Sequence, residues 1–117
     1  ENDAEVDNTL SVQSNESVRA AMSMTDSKPV TINVGATGVI AYVNLNYAWD
    51  EGYTGWFTGA SLTGTYVPVG TSLVLRDFTT SDVGNSSYIT VTVTYIINGA
   101  QYNASATFYV DEWGEVS

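Results

Sequence analysis

The sequence predicts an all-β chain folded as a two-sheet sandwich of about seven to nine strands, on three observations. The first is Tyr88 to Val110, which reads as one long β-hairpin folded at Asn98-Gly99. Asn-Gly suits a type I′ turn, which needs positive φ at both central residues. The second is that the rest of the chain breaks into short alternating runs, with turn signals roughly every 8–12 residues. The third is the lack of amphipathic helical periodicity; at most a single helical turn fits Thr80–Val83.

The hairpin register follows by counting outward from the turn. One face carries Ile97–Ala100, Tyr95–Tyr102, Val93–Ala104, Val91–Ala106 and Ile89–Phe108. The other carries Ile96–Gln101, Thr94–Asn103, Thr92–Ser105, Thr90–Thr107 and Tyr88–Tyr109. One apolar and one uncharged polar face is the pattern of a half-buried antiparallel pair. A one-residue slip would exchange the two faces, so pattern and turn specify the same register.

Taken in order, residues 1–17 are acidic and poor in aromatics, a flexible lead or a loosely docked first strand. Val18-Ala20-Met22-Met24 alternates as an edge strand ending near Asp26-Ser27-Lys28-Pro29, with Pro29 at the entry of the next one. Val30-Ile32-Val34 and Val39 to Leu45 are strands separated by a turn from Gly35 to Gly38. A strand crosses Trp56, and Gly59, Gly64, Pro68 and Gly70 cut the following stretch into short pieces. Ser72 to Leu75 is a further strand, and Thr79 to Gly84 a loop leading into the hairpin. Residues 18–110 are the sandwich and 111–117 an acidic tail or linker.

At 117 residues the chain is one domain, large enough to bury a core without staples. Cysteine and histidine are absent, so there is no disulfide, no thiolate or imidazole ligand, and no cysteine nucleophile. The net charge is −10, but between Val30 and Val110 the only charges are Asp50, Glu51, Arg76, Asp77 and Asp82. Three cations cannot neutralise a phosphate backbone, which disfavours nucleic acid and anionic membrane surfaces. No apolar run reaches membrane-spanning length and no secretory signal is present, so no membrane insertion is expected. The chain starts at Glu1 rather than Met and reads as a processed protein or an excised domain.

Trp56-Phe57-Thr58-Gly59 with Leu62 resembles the C-strand tryptophan motif of immunoglobulin-like domains of the intermediate or variable type. Ser72 to Leu75, then Asp82-Val83-Gly84 and Tyr88, resembles the E strand and the E–F corner, and Thr31 to Leu45 the A′ and B strands. The resemblance implies an immunoglobulin-like Greek-key sandwich in which Val43 and Val91 stand where the family pairs cysteines. It places the corner tyrosine at Ser86, two residues before Tyr88. Cysteine-free sequences of this kind look like modules of bacterial surface proteins and phage virions, acting as spacers, adhesive modules or decoration. That implies an extracellular, cell-surface or virion location. Small Ala104 and Ala106 leave room on the hairpin's core side for Trp56 from the facing layer.

Catalytic chemistry finds little footing. Gly59-Ala-Ser61-Leu-Thr63-Gly64 misses the nucleophile-elbow spacing, and no histidine is available to activate Ser61. Asp50 and Glu51 are adjacent, so they do not flank one glycosidic bond. A non-enzymatic role follows, with no cofactor. Calcium is the one metal the composition allows, through Asp50-Glu51, Asp77 with Asp82, or Asp111-Glu112, none in EF-hand spacing. A Lys–Asn crosslink of the adhesin kind needs a lysine inside a strand, and the sole lysine, Lys28, precedes Pro29. Asn15, Asn85 and Asn103 begin glycosylation sequons, a pattern frequent by chance in so Ser/Thr/Asn-rich a chain.

Two binding surfaces remain. The charge-free outer face of the hairpin, Thr90, Thr92, Thr94, Asn103, Ser105 and Thr107 with Tyr88 and Tyr109 at one end, is expected to pack on a protein partner or a second copy. Within the aromatic-rich stretch from Tyr47 to Tyr66, Trp49, Tyr53 and Tyr66 would form a sugar-stacking surface if exposed together, making a carbohydrate-binding module the alternative.

Overall fold

The computed structural model describes residues 23–84 and 86–117. The acidic lead, the strand start at Val18-Ala20-Met22 and the sequons' Asn15 and Asn85 lie outside the described residues. Among the described residues six strands, fewer than the seven to nine expected, form two antiparallel three-stranded sheets: β1 (Met24–Asn33), β2 (Ile40–Asp50) and β3 (Thr54–Tyr66) in one, β4 (Leu73–Ser81), β5 (Tyr88–Ile97) and β6 (Ala100–Tyr109) in the other. The only helical piece among the described residues is a 3₁₀ turn at Gly35–Thr37, so the turn expected near Thr80–Val83 is replaced by the end of β4.

The β5–β6 hairpin has the predicted register at every one of its ten pairs, from Ile97↔Ala100 to Tyr88↔Tyr109. Asn98 and Gly99 have φ of 49° and 84°, the positive values that the turn needs. Asn98 also extends the pairing of β4 with β5: its backbone N–H donates to Ser72 O, and its Oδ1 accepts from Ser72 N–H, both at 2.8 Å.

Elsewhere the strands are longer than the turn signals suggest. Met24 to Asn33 is one strand, with Pro29 inside it opposite Asn44. This corrects the placing of Pro29 at a strand entry. β1 is an edge, where the missing N–H faces away from the ladder. Gly59 and Gly64 do not end a strand either. They sit in β3 beside two bulges, where Thr58 and Thr63 are the extra residues. β4 likewise runs on to Ser81 past a bulge at Arg76, through the stretch expected to be a loop.

One cluster of buried side chains joins the two sheets. Val43, Leu45 and Phe57 from the first and Ile89, Val91, Val93 and Tyr95 from the second are fully buried. Val43 and Val91, the two cysteine-equivalent positions of the resemblance, both lie in this core. Trp56 does not fill it. Trp56 pairs with Ala48 on the same sheet as Val43 and is half-buried, while its neighbour Phe57 takes the inward position. Strand order is sequential within each sheet, and only the β3–β4 connection passes between them. In immunoglobulin-like sandwiches the B and C strands occupy different sheets, as do E and F. Here their counterparts, β2 with β3 and β4 with β5, are hydrogen-bonded neighbours.

Residues 111–117 fold back beside β6. Tyr109 and Ser117 exchange both backbone hydrogen bonds (3.0 and 2.9 Å), and Val110 bridges Val116. The Asp111 carboxylate holds the bend by accepting from Trp113 N–H (2.8 Å) and Glu115 N–H (2.9 Å). Gly52 N–H donates to Glu112 O (3.0 Å), and Gly114 (φ 79°) lies flat against the Trp49 indole, leaving no space for a Cβ.

Candidate binding surface

The outer face of the second sheet is built by alternation along β5 and β6. Every odd-to-even step that buries Ile89, Val91, Val93 and Tyr95 turns Thr90, Thr92 and Thr94 outward. Opposite them stand Thr107, Ser105 and Asn103. Thr90 Oγ1 and Thr107 Oγ1 are hydrogen-bonded at 2.8 Å, and Thr92 Oγ1 and Ser105 Oγ at 2.7 Å. Tyr88 and Tyr109 close one end, their ring centroids 4.9 Å apart and tilted by 46°. The sequence-predicted surface is therefore one contiguous patch.

β4 widens it. Ser81 and Thr79 lie opposite Thr90 and Thr92 and add two hydroxyls; they share that face because cross-strand partners do. Asp77, opposite Thr94, puts one carboxylate at the border, where its Oδ1 accepts from Phe78 N–H (2.9 Å). No sequence signal marks Thr79 and Ser81, because the bulge at Arg76 shifts the strand's parity and the stretch beyond it reads as a loop. Hydroxyls that satisfy one another across strands need less from water, so covering this face costs less than burying free hydroxyls.

The three aromatics of the alternative surface are not brought together. Asp50 pairs with Thr54 at one end of the first sheet and Ile40 with Tyr66 at the other. Tyr53 and Tyr66 are thus separated by the length of β3, roughly 35 Å at strand rise. Trp49 is tucked between Gly114 and Tyr47, whose ring centroid is 5.8 Å away, and its buried indole Nε1 has no hydrogen-bond partner among the described residues. Tyr53 stays 81% exposed, and Trp113, 56% exposed, lies beside the preceding residue Gly52.

No family model, curated protein or solved structure matches this chain.

Three of the six acidic side chains considered as calcium ligands hold local structure. Asp111 caps its own bend, Asp77 binds the next backbone N–H, and Asp50 Oδ1 accepts from Ser23 Oγ (2.8 Å). Among the described residues no three Asp or Glu side chains converge as metal ligands would. Lys28 proves to lie within β1, opposite Leu45, but exposed. At the hairpin's turn end a groove of about 320 Å³ is lined by Ala36, Thr37, Ile97, Asn98, Ala100 and Tyr102. Among the described residues no helix is long and apolar enough to cross a membrane.

Proposed function

We propose that this chain is a non-catalytic interaction module of an exposed protein, at a microbial surface or on a virion, serving as a spacer or adhesive domain. In this reading it meets a protein partner through the outer face of β4, β5 and β6. The observation that carries the proposal is the hydroxyl ladder Thr90–Thr107 and Thr92–Ser105, uncharged and ended by the Tyr88–Tyr109 pair. A sheet face meant only for solvent gains solubility from mixed charges. Kinship with immunoglobulin-like domains is part of the proposal through the β5–β6 hairpin and the shared two-sheet core; the sequential strand order in each sheet counts against a closer relation. Replacing Thr92 and Ser105 with Lys leaves folding intact, since both side chains point outward, and abolishes binding to the partner. Unchanged binding by the double variant would place the interface elsewhere.

A glycan is the second reading, favoured by one observation: Tyr53 and Trp113 stand exposed at the same tip. The benzo edge of Trp113 lies beside Gly52, and more than half of the side chain stays exposed for stacking. A glycan array probed with the wild type and with Trp113→Ala tests it: a signal lost in the variant supports the reading, and a blank array or an equal signal rejects it.

A further inference from the structure

Each sheet has two edge strands, and three of these four edges carry a feature that deters another strand from pairing. β1 has Pro29, with the exposed charges Asp26 and Lys28 in register with Tyr47 and Leu45. β3 is bent by bulges at Thr58 and Thr63. β4 has a bulge at Arg76 followed by Asp77. β6 has none of these. Its ten residues include no charge, no proline and no glycine, and its pairing with β5 has no register shift.

The free side of β6 can be identified from the structure. Tyr109 exchanges its backbone bonds with Ser117 on the side away from β5. Alternate residues of a strand present their N–H and C=O to the same side, so Thr107, Ser105, Asn103 and Gln101 face that way too. Among the described residues only Ser117 occupies this edge, beside Tyr109. The inward row of β6 is incompletely covered as well: Tyr102 is 40% exposed, and Ala104, Ala106 and Phe108 are half-buried.

This edge is self-complementary. Two β6 strands placed antiparallel about a two-fold at Ala104 pair Gln101 with Thr107 and Asn103 with Ser105, which uses all four free residues. On the inward row the same register sets Tyr102 against Ala106 and Phe108 against Ala100, a large side chain opposite a small one each time. The charge distribution also selects a second copy: the chain's net charge is −10, and β6 is a ten-residue strip of it without charge. We infer that the occupant of the β6 edge is the β6 strand of a second copy, giving a two-fold dimer with a continuous six-stranded sheet. The inference is independent of which partner the outer face meets, although pairing at β6 would double the width of that face.

The test is the oligomeric state of the full chain by sedimentation velocity, from low to high micromolar concentration. A reversible monomer–dimer equilibrium is expected. Asn103→Pro removes one outward N–H that the β5 ladder does not use, and it should yield a folded monomer throughout the range. Ala104→Cys, in a protein without other cysteines, should oxidise to a covalent dimer. Facing residues of a non-hydrogen-bonded antiparallel pair lie about 4.5 Å apart at Cα, within disulfide reach. Thr79→Cys on β4 should not crosslink. A wild type that stays monomeric, a folded Asn103→Pro that dimerises like the wild type, or equal crosslinking from Thr79→Cys overturns the inference. Thr92→Lys separates the two surfaces. It lies on the central strand, so an edge dimer persists while face binding is lost; loss of the dimer in this variant would assign association to the face and reject the edge.

Discussion

Phe57, and not Trp56, is the aromatic that β3 sends into the core, because the strand presents only alternate residues inward and bulges reset which ones. Phe57 is fully buried against Tyr47, with ring centroids 6.3 Å apart at 72°. Phe57→Ala should cost about 3–5 kcal/mol, and Trp56→Ala clearly less, since the half-buried ring leaves no enclosed cavity. Val43→Ala and Val91→Ala should each cost roughly 1–3 kcal/mol in denaturant melts. Tyr47 has a second signature. Burial, then the nearby charges of Asp26 and Glu115, raise its phenol pKa above the ordinary tyrosine value. A raised folded-state pKa means that the unfolded chain ionises first. Stability is therefore full below the normal tyrosine range and falls as pH climbs through it toward the folded value. Tyr47→Phe should push the alkaline unfolding midpoint upward while changing neutral-pH stability little.

At the scale of elements, legibility followed how local the determining interactions are. The β5–β6 hairpin was readable to the residue because a two-residue turn and strict alternation fix all ten pairs. β3 was not. Gly59 and Gly64 look like turn residues, and only the partner strand β2 shows that they flank bulges in a 13-residue strand. Pro29 misled in the same way, since its acceptability depends on β1 being an edge. The eight positions of the candidate face on β5 and β6 are legible as part of the hairpin, whereas Thr79 and Ser81 are hidden behind the Arg76 bulge. Nor does composition reveal that 111–117 docks, because the docking depends on Gly114 meeting Trp49 and on Gly52 meeting Glu112. Removing residues 111–117 would uncover Trp49 and free the Tyr109 edge, so a fall of several degrees in Tm is expected for a domain of this size. Gly114→Ala should reproduce part of that fall, since its positive φ and the Trp49 ring both exclude a Cβ.

At the scale of the whole molecule, the negative charge of the described residues gathers at one pole. The β2–β3 turn places Asp50 and Glu51 there, and the folded-back segment brings Asp111, Glu112 and Glu115 to the same end, held by Gly52 N–H on Glu112 O. Among the described residues the basic side chains, Lys28 and Arg76, lie within strands away from that turn. Exposed like charges within a Debye length, about 10 Å at 0.1 M salt, repel, and added salt screens them. Stability should therefore rise as ionic strength increases from low to physiological, the reverse of a fold tied together by surface ion pairs. The effect should be carried by the carboxylates that repel, not by those that bind backbone. Glu112→Gln with Glu115→Gln should raise Tm at low salt and flatten its salt dependence. Asp111→Asn should lower Tm at every salt concentration, because Asp111 Oδ1 accepts two backbone N–H groups and a neutral amide holds them less well. A salt dependence unchanged by the double substitution would locate the repulsion elsewhere in the chain, leaving the acidic pole without a role in stability.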